Sequence, residues 1–346
     1  MQWVFGNENP VATTANRRGD QKMSVMKLCA GTVAMIVCAS QLSAAPVKIA
    51  LEGAPDLEKS GTYVWVHTFG EYLESHGMEV QEFERGSLGD EAEKMDQIQQ
   101  GLLEVSSSDT KRVSQLAPSL TPLTLPYFVP DFAALDKGLY DGGMIDKINE
   151  EAAPHGLRVI GISSLGLPAG IFNTKHAVKS PADLADLRMR ALDETDIAIY
   201  ELWGTRGTIV SWDEVPNALQ TGIADGYLNP PIVPILYGHT GFIKHFTDAR
   251  MSTAHRTIVI SEDWYQGLSA EEQQIVDDAA AAATAANREW LAGRASELDQ
   301  LREAGIEVTT LSPDVWLEFQ QLSMPLWQQV PMPEGLLDSW KQAMGN

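Results

Sequence analysis

Between residues 183 and 231, short apolar runs alternate with patterns typical of helices. Residues 187–192 alternate apolar and polar side chains with a period of two, which predicts a strand. Residues 194–203 place apolar side chains along one side of a helix, and Gly204 follows where a helix end is expected. Further on come a strand pattern at 208–210, a Ser211–Glu214 capping box that starts a second helix, and a strand pattern at 223–228. The segment therefore predicts a β-α-β-α-β unit with parallel strands.

Three side chains follow the predicted strands at one edge of that sheet. Arg190 is near the carboxyl end of the first strand, and Trp212 and Asn229 come just after the second and third. Ligands of open α/β sheets bind outside the carboxyl ends of the strands, and arginine offers a two-pronged donor to a carboxylate. Taken singly, the three fit a surface charge, a core aromatic and a turn residue. Their joint position suits a small anion with some apolar surface, and on the pattern alone both interpretations stay open.

The N-terminal half of the chain repeats this arrangement. Strand patterns at 47–51 and 103–107 are followed by Glu52 and Asp109, and a further strand pattern lies at 78–83. Both carboxylates are therefore expected at the carboxyl ends of strands. Asp109 fits the N-cap of a helix almost as well. The two carboxylates could in principle also form an acid–base pair.

The rest of the chain is mostly helical. In order, the patterns predict an apolar connector at 118–130, a helix around 132–152, strands at 157–162 and 257–260, and helices at 313–342. A capping box at Ser269 and Glu272 starts an Ala-rich helix expected to run to about Glu303, roughly 50 Å. Such a helix either spans two lobes or pairs with a partner helix. His255 precedes a strand near the proposed edge, although a single histidine is more often structural.

Length and charge narrow the class of protein. The chain has 346 residues, more than one core usually serves, so two lobes are expected. Its formal net charge of −22 argues against a nucleic-acid partner, whose phosphates require a basic surface. The seven histidines show no metal spacing, and no nucleotide-binding, metalloprotease or nucleophile-elbow motif is present. We therefore expect no cofactor and no metal.

Residues 26–45 have the composition of a secretory signal peptide. One lysine is followed by a short apolar run and by a Ser-Ala-Ala cleavage site at 43–45. A membrane anchor is the alternative, but the run is short and interrupted by polar residues. Cys29 and Cys38 both lie in this segment, so a mature chain that starts near Pro46 would contain no cysteine. An acidic, cysteine-free, exported chain fits a bacterial periplasm.

Several short motifs resemble, in the same order, those of a known family. In the N-terminal half they are Gly86-Ser87-Leu88-Gly89, Gln97-Ile98-Gln99-Gln100-Gly101 and Leu125-Pro126-Tyr127-Phe128. In the C-terminal half they are Pro181-Ala182-Asp183-Leu184, Leu187-Arg188-Met189-Arg190, Trp212-Asp213-Glu214-Val215, Ala218-Leu219-Gln220-Thr221-Gly222, Asp225-Gly226 and Asn229-Pro230. Over roughly residues 46–330, the chain is similar to TRAP-transporter periplasmic solute-binding proteins of the dicarboxylate-binding (DctP) type.

The resemblance implies an α/β fold like that of type II periplasmic binding proteins. Two α/β lobes would enclose a ligand cleft, and a long helix would span both. The expected organisation is an upstream extension and signal peptide at 1–45, lobe I at 46–166 completed by about 253–268, lobe II at 167–252, and the spanning helix with a helical tail at 269–346.

The resemblance also implies roles for the site residues. Arg190 would clamp the ligand carboxylate, Asn229 would be its companion amide, and Trp212 would be an aromatic contact. Glu52 and Asp109 fall at positions that often line the cleft. The protein would then be a monomer that captures a small organic carboxylate in the periplasm and delivers it to a TRAP permease.

One departure from the family pattern affects the expected ligand. Many members carry a second arginine in the strand before the P-x-D-L motif, but residues 165–172 contain no cation. A single arginine opposite Glu52 and Asp109 suits a monocarboxylate with hydroxyls or a positive nitrogen, such as a sugar acid, a hydroxy acid or a zwitterion. Two other functions stay open: an exported α/β enzyme that uses Glu52 and Asp109, and a sensor subunit that binds the same ligand.

Overall fold

The computed structural model describes residues 45–345, and the predicted extension and signal peptide up to residue 44 lie outside it. Its eleven strands are β1 (Val47–Ala50), β2 (Val80–Phe83), β3 (Val105–Ser108), β4 (Leu157–Ser164), β5 (Gly170–Asn173), β6 (Arg188–Ala191), β7 (Arg206–Ile209), β8 (Gly226–Asn229), β9 (His245–Asp248), β10 (His255–Ser261) and β11 (Glu307–Thr310). Most lie within about two residues of the predicted strand patterns.

Helices connect these strands. They are α1 (Gly61–Ser75), α2 (Glu91–Gln99), α3 (Thr110–Ser114), α4 (Phe132–Asp136), α5 (Met144–Ala152), α6 (Glu194–Leu202), α7 (Val215–Thr221), α8 (Val233–Leu236), α9 (Glu262–Gly267), α10 (Ala270–Ala292), α11 (Glu297–Glu303), α12 (Pro313–Ser323), α13 (Leu326–Gln329) and α14 (Leu336–Met344). The predicted connector contains a buried 3-10 helix, Pro118–Thr124.

The strands form two sheets, which define lobe I and lobe II. The sheet of lobe I has the order β2-β1-β3-β10-β4, and β10 is antiparallel to both of its neighbours. The sheet of lobe II has the order β11-β9-β5-β8-β6-β7, and β6 pairs in parallel with β7 and β8. The predicted parallel β-α-β-α-β unit is therefore confirmed as β6-α6-β7-α7-β8.

Each sheet is covered on both faces by an apolar core. Successive residues of a strand point to opposite faces, so Ile258 and Val259 of β10 enter different cores of lobe I. In the same way, Ile171 and Phe172 of β5 enter different cores of lobe II. Buried faces on both sides explain why these strands read as short apolar runs. The edges of the sheets are left for polar side chains.

The described chain passes between the lobes four times. The first crossover, residues 165–169, joins β4 to β5, and the second crossover, residues 249–254, returns from β9 to β10. The turn after α10 is the third passage, because α10 packs on α1 in lobe I whereas α11 packs on β11 in lobe II. The fourth follows α13, since α12 supplies Phe319 to a lobe II core and α14 supplies Trp340 to a lobe I core.

Strained backbone is concentrated at the second crossover. Among the described residues, the non-glycine positions with left-handed backbone are Tyr127 (φ 60°), Arg250 (φ 49°) and Ala254 (φ 44°). Two of them belong to the crossover itself. The third, Tyr127, donates its backbone N–H to the Met251 carbonyl at 2.7 Å and its hydroxyl to the Ala249 carbonyl at 3.0 Å. Such conformations persist because the surrounding hydrogen bonds hold them.

The predicted single helix from Ser269 to about Glu303 is wrong, although the helical segment does span both lobes. The capping box at Ser269 is present, but α10 ends at Ala292. A 3-10 turn at Arg294–Ser296 then redirects the chain into α11. The first crossover holds the chain at this point, because the fully buried Glu297 accepts a hydrogen bond from the Leu167 N–H at 3.2 Å.

Two smaller predictions are also wrong. The helix around 132–152 is two helices with a π turn between them, because Gly143 adopts left-handed backbone (φ 71°) and breaks the helix before α5. Ser211 makes no cap hydrogen bond, since a 3-10 turn at Trp212–Glu214 delays α7 to Val215. The predicted helices at 313–342 are present as α12, α13 and α14, and β11, which precedes them and pairs with β9 at the edge of lobe II, was not predicted.

Candidate functional site

Arg190 lies near the carboxyl end of β6 in lobe II. It is half-buried, its Nε donates to the Val210 carbonyl at 2.9 Å, and its guanidinium carbon lies 5.7 Å from the centroid of the Trp212 ring. The Tyr200 hydroxyl donates to the Arg190 carbonyl at 2.7 Å and fixes the backbone there. Burial lowers the pKa of Arg190, and nearby Asp196 opposes the shift. The side chain stays charged because the ordinary pKa of arginine is so high.

Trp212 is the centre of an aromatic cluster at the same edge. Its ring lies edge-on to Tyr237 and Tyr227 at centroid distances of 5.2 and 5.7 Å, and 5.2 Å from the His239 ring. Tyr237 also reaches lobe I, where a Cβ on Gly53 would lie 3.0 Å from the tyrosine hydroxyl. Burial is the main cause that raises the pKa of Tyr237, so the hydroxyl stays protonated. The cluster gives this edge a rigid apolar wall with a polar tip.

Asn229 ends β8, and its backbone pairs with Gly170 of β5. The residue is half-buried, and among the described residues its side-chain amide makes no hydrogen bond. The structure thus brings Arg190, Trp212 and Asn229 to the carboxyl ends of the parallel strands, and Trp212 into contact with Arg190.

Glu52 and Asp109 lie at the facing edge of lobe I, and Arg256 joins them. The Arg256 guanidinium pairs with Glu52 through Nη2 and with Asp109 through Nη1, the latter at 2.6 Å. Burial would lower the pKa of Arg256, but Glu52 and Asp109 outweigh it and hold this pKa above its ordinary value. Burial would likewise raise the pKa of Asp109, but Arg256 and Lys111 hold it below its usual range. Arg256 and Asp109 are therefore charged at neutral pH.

Asp109 has both of the roles that its sequence position allowed. Its Oδ1 accepts from the Lys111 N–H at 2.9 Å as the N-cap of α3, while its Oδ2 binds Arg256. The Asp109 backbone N–H donates to Glu91 Oε1 at 2.8 Å. Glu52 is less completely bonded, because its buried Oε2 has no partner among the described residues.

His255 precedes Arg256 on β10 and is half-buried. Its Nδ1 lies 3.1 Å from the Thr253 hydroxyl. Burial lowers the pKa of His255 to about 4, with Asp109 opposing the shift and Arg256 adding to it. The imidazole is therefore neutral at physiological pH, and it lies close enough to Asp109 to feel its charge.

Arg256 is the site residue that the sequence analysis missed. It begins a strand, so a parallel strand would have carried it to the far edge of the sheet. Because β10 is antiparallel to β3, its first residues instead meet the carboxyl ends of β1 and β3. The argument that one arginine faces two acidic residues is corrected accordingly: each lobe supplies one arginine. The sequence signal for Arg256 was the polar pair His255-Arg256 at the start of an apolar strand.

Metal-binding clusters and membrane-spanning helices are both absent from the described residues. No group of three His, Cys, Asp or Glu side chains in 45–345 could hold a metal ion. Over the same residues, no helix is long and apolar enough to cross a membrane.

Two α/β lobes joined by crossovers, with charged strand ends that face one another, are the architecture of a two-lobed solute-binding protein. The chain belongs to the bacterial extracellular solute-binding proteins of family 7, DctP, whose family model matches residues 59–332. The TRAP-type family recognised from the sequence motifs is therefore confirmed.

Individual relatives support the same assignment. The chain is 29% identical over 260 residues to the ectoine-binding periplasmic protein TeaA of Halomonas elongata, covering 71% of this chain and 73% of that protein. The solved structure of the ectoine-binding protein from the TeaABC TRAP transporter of that organism has a TM-score of 0.79 at 25% identity, covering 87% and 99% of the two chains. A TRAP solute-binding protein from Xanthobacter autotrophicus Py2 with bound β-D-galacturonate has a TM-score of 0.76 at 23% identity, covering 86% and 99%, and shows the fold alone.

Proposed function

We propose that this chain captures a small organic carboxylate between Arg190 in lobe II and the Glu52–Arg256–Asp109 group in lobe I. The observation that carries the proposal is the state of the Arg190 fork. Its Nε is bonded to a backbone carbonyl, whereas its two terminal NH2 groups donate to no other described residue. Two parallel N–H donors fixed beside an aromatic ring match the geometry of a carboxylate. Asn229 supplies a further amide at the same edge.

The charges of lobe I favour a particular class of carboxylate. Glu52 and Asp109 together carry two negative charges, and Arg256 neutralises one of them. One negative charge is therefore left opposite Arg190, which favours a ligand with one carboxylate and a hydrogen-bond donor at its other end. A sugar acid, a hydroxy acid or a zwitterion with a positive nitrogen has this form. The ligands of two similar proteins, ectoine and galacturonate, are of this kind.

We propose further that the chain has no catalytic activity. The enzyme alternative required Glu52 and Asp109 to act as an acid–base pair. Both are paired with Arg256, and the pKa of Asp109 is held below its usual range, mainly by Arg256 against the effect of burial. A general acid needs a pKa near the working pH, so this carboxylate is poorly suited to donate a proton.

The ligand class is tested by thermal shift and calorimetric titration. The panel holds ectoine, galacturonate, small hydroxy acids and C4-dicarboxylates, each with its neutral amide or methyl ester as control. A ligand that binds only the folded state raises the melting temperature by mass action. We expect one monocarboxylate to stabilise the protein and its neutral counterpart to lose the effect. Equal binding of acid and ester would overturn the role of Arg190.

Transport and location are proposed together. The mature protein would start near Pro46, act in the periplasm as a monomer, and deliver its ligand to a TRAP permease. Intact mass of the exported form and light scattering after gel filtration test the first points. Delivery to the permease is tested by ligand uptake in cells that express the TRAP permease with and without this chain. Retention of residues 26–45, or uptake that is unchanged without the chain, would contradict the proposal.

A further inference from the structure

Two groups of ion pairs connect the lobes beside the candidate site. Lys111 of lobe I reaches lobe II, where its Nζ lies 3.1 Å from Asp193 Oδ1 and also contacts Asp196. Arg85 of lobe I lies 3.2 Å, through Nη2, from Asp213 Oδ1 of lobe II. Both groups of ion pairs join the facing edges of the two lobes. They can therefore form only when the cleft is closed.

The Lys111 group is bonded to the site in lobe I and lies beside it in lobe II. In lobe I, the backbone N–H of Lys111 donates to Asp109, which in turn binds Arg256. In lobe II, burial lowers the pKa of Arg190, and the charge of Asp196 is close enough to oppose this shift. An ion pair between Lys111 and Asp196 therefore links the lobe I carboxylate to the lobe II arginine.

The acceptors of Lys111 are held rigidly by the backbone. Asp193 is the N-cap of α6 and accepts from the N–H groups of Thr195 and Asp196 at 3.0 and 3.1 Å. The other oxygen of Asp196 accepts from the Leu192 N–H at 2.8 Å. Because the acceptors are already fixed, only the lysine side chain loses entropy when the ion pair forms. Burial would lower the pKa of Lys111, but Asp196 and Asp193 outweigh it and raise this pKa, so the ammonium stays charged.

The Arg85 contact is weaker by the same criteria. Its acceptor Asp213 has a side chain that is 72% exposed, whereas those of Asp193 and Asp196 are 37% and 22% exposed. Arg85 also donates through Nη1 to the Glu52 carbonyl at 3.0 Å, which ties it to its own lobe. Exposed pairs of this kind contribute little, so Lys111 is the contact that matters most for closure.

We propose that Lys111 is a positioning residue that holds lobe II closed over the ligand by pairing with Asp193 and Asp196. The inference rests on the proposed binding function, but its structural part concerns the lobes alone. Removing the ammonium opens the cleft without changing any residue that is proposed to contact the ligand. Opening acts on the lifetime of the complex, so dissociation changes more than association.

The first test measures the lobes without any ligand. Described residues 45–345 contain no cysteine, so Glu74→Cys on α1 and Glu201→Cys on α6, both exposed, accept spin labels in the mature chain. Pulsed electron resonance then gives the distance distribution between the lobes. We expect a closed population in the ligand-free protein that falls in Lys111→Met and at high salt. Screening weakens such a pair.

The matched control is an ion pair within one lobe. Lys175 and Asp225 of lobe II lie 3.0 Å apart through Nζ and Oδ2, and Lys175→Met should leave the distances unchanged. Asp196→Asn keeps the acceptor for Leu192 but removes the charge, and Asp193 still pairs with Lys111 in this variant. Combined with Lys111→Met, it should therefore open the lobes no further than Lys111→Met alone. Absence of a closed population in the ligand-free wild type, or identical distributions in wild type and Lys111→Met, would overturn the inference.

The second test uses whichever carboxylate the ligand screen returns. Stopped-flow dissociation should be about tenfold faster or more for Lys111→Met, with association changed by less than about threefold. Arg85→Met should change dissociation by about twofold or less. Equal dissociation rates in wild type and Lys111→Met would overturn the inference. A protein that binds no carboxylate but still opens on loss of Lys111 would refute the proposed function and leave the structural part intact.

Discussion

Arg190 and Arg256 lie on facing edges of the two lobes, yet their surroundings differ. Arg256 is paired with two carboxylates of its own lobe. Arg190 has one backbone carbonyl and the ring of Trp212. This difference is the basis of our proposal that Arg256 serves the fold and that Arg190 binds the ligand. In that proposal, the site for an acid depends on how few of its donors Arg190 uses within the fold, and not on the number of arginines nearby.

The largest expected effect is on ligand affinity when Arg190 is changed. Truncating one partner of a buried, hydrogen-bonded charge pair costs about 2–5 kcal/mol, or roughly 30- to several-thousand-fold in Kd. Arg190→Ala should lose this much in calorimetric titration, and Arg190→Lys should not restore it, because a point charge cannot replace a planar fork. Arg188 is exposed on the same strand, so Arg188→Ala is the matched control. If Arg190→Ala bound the ligand within a few-fold of wild type, Arg190 would not be the residue that holds the carboxylate.

The next effect is on the free energy of unfolding without ligand. Here the change at Arg256 should cost more than the change at Arg190, the reverse of the order expected for ligand affinity. Arg256→Met leaves Glu52 and Asp109 without their cation. Breaking a buried pair costs about 3–5 kcal/mol, and we expect the lower end because the Arg256 side chain is 24% exposed. Arg190→Met loses one hydrogen bond and one aromatic contact, so about 1 kcal/mol is expected. Urea unfolding of both variants measures the difference, and greater destabilisation by Arg190→Met would contradict it.

Glu297 is a third buried ionisable residue to compare with the two arginines. Unlike Arg256, it is not paired with a side chain of opposite charge, and unlike Arg190, it has no free N–H donors for a ligand. It is fully buried, its Oε1 has no partner among the described residues, and burial raises its pKa from 4.5 to about 7. A raised carboxyl pKa stabilises the folded state below pH 4.5, and this stability is lost as the pH rises to 7. The shift corresponds to about 3 kcal/mol.

His255 contributes a pH dependence of stability with the opposite sign. The effect of Glu297 is therefore measured as a difference between wild type and Glu297→Gln. Burial lowers the pKa of His255 from 6.5 to about 4, so its contribution is complete above pH 6.5 and disappears toward pH 4. The free energy of unfolding of wild type minus that of Glu297→Gln cancels the histidine. That difference should fall by about 3 kcal/mol between pH 4.5 and 7. Glu303→Gln, exposed on the same helix, is the matched control.

The smallest effect concerns the aromatic neighbour of Arg190. A cation over a tryptophan face contributes about 0.5–1 kcal/mol at a partly exposed site, which corresponds to roughly two- to fivefold in Kd. Trp212→Leu should weaken binding by about this much, and Trp212→Phe by less because it keeps an aromatic face. Calorimetric titration with the ligand of the wild type resolves such ratios. A loss as large as that of Arg190→Ala would mean that Trp212 is the main contact.

The sequence predicted those parts of the site that depend on local pattern. Arg190, Trp212 and Asn229 follow parallel strands within one β-α-β-α-β unit, so their common edge could be predicted from strand order alone. Arg256 could not, because its edge depends on β10 running antiparallel, which is a long-range choice. The end of α10 at Ala292 was missed although a local signal was present, because Gly293 is its C-cap. What the sequence could not show is the long-range contact between Glu297 and the first crossover, which holds α11 in its new direction.

The fourth passage between the lobes has a consequence for the order in which the lobes can fold as the chain emerges from its N-terminal side. Lobe I contains β1 and also α14, whose Trp340 is fully buried and donates to the Ser119 carbonyl at 2.7 Å. Its core can be completed only after Leu336–Met344 has emerged. The sheet of lobe II and its covering helix α12 lie between residues 170 and 323. The lobe whose strands emerge first is therefore the one that is completed last.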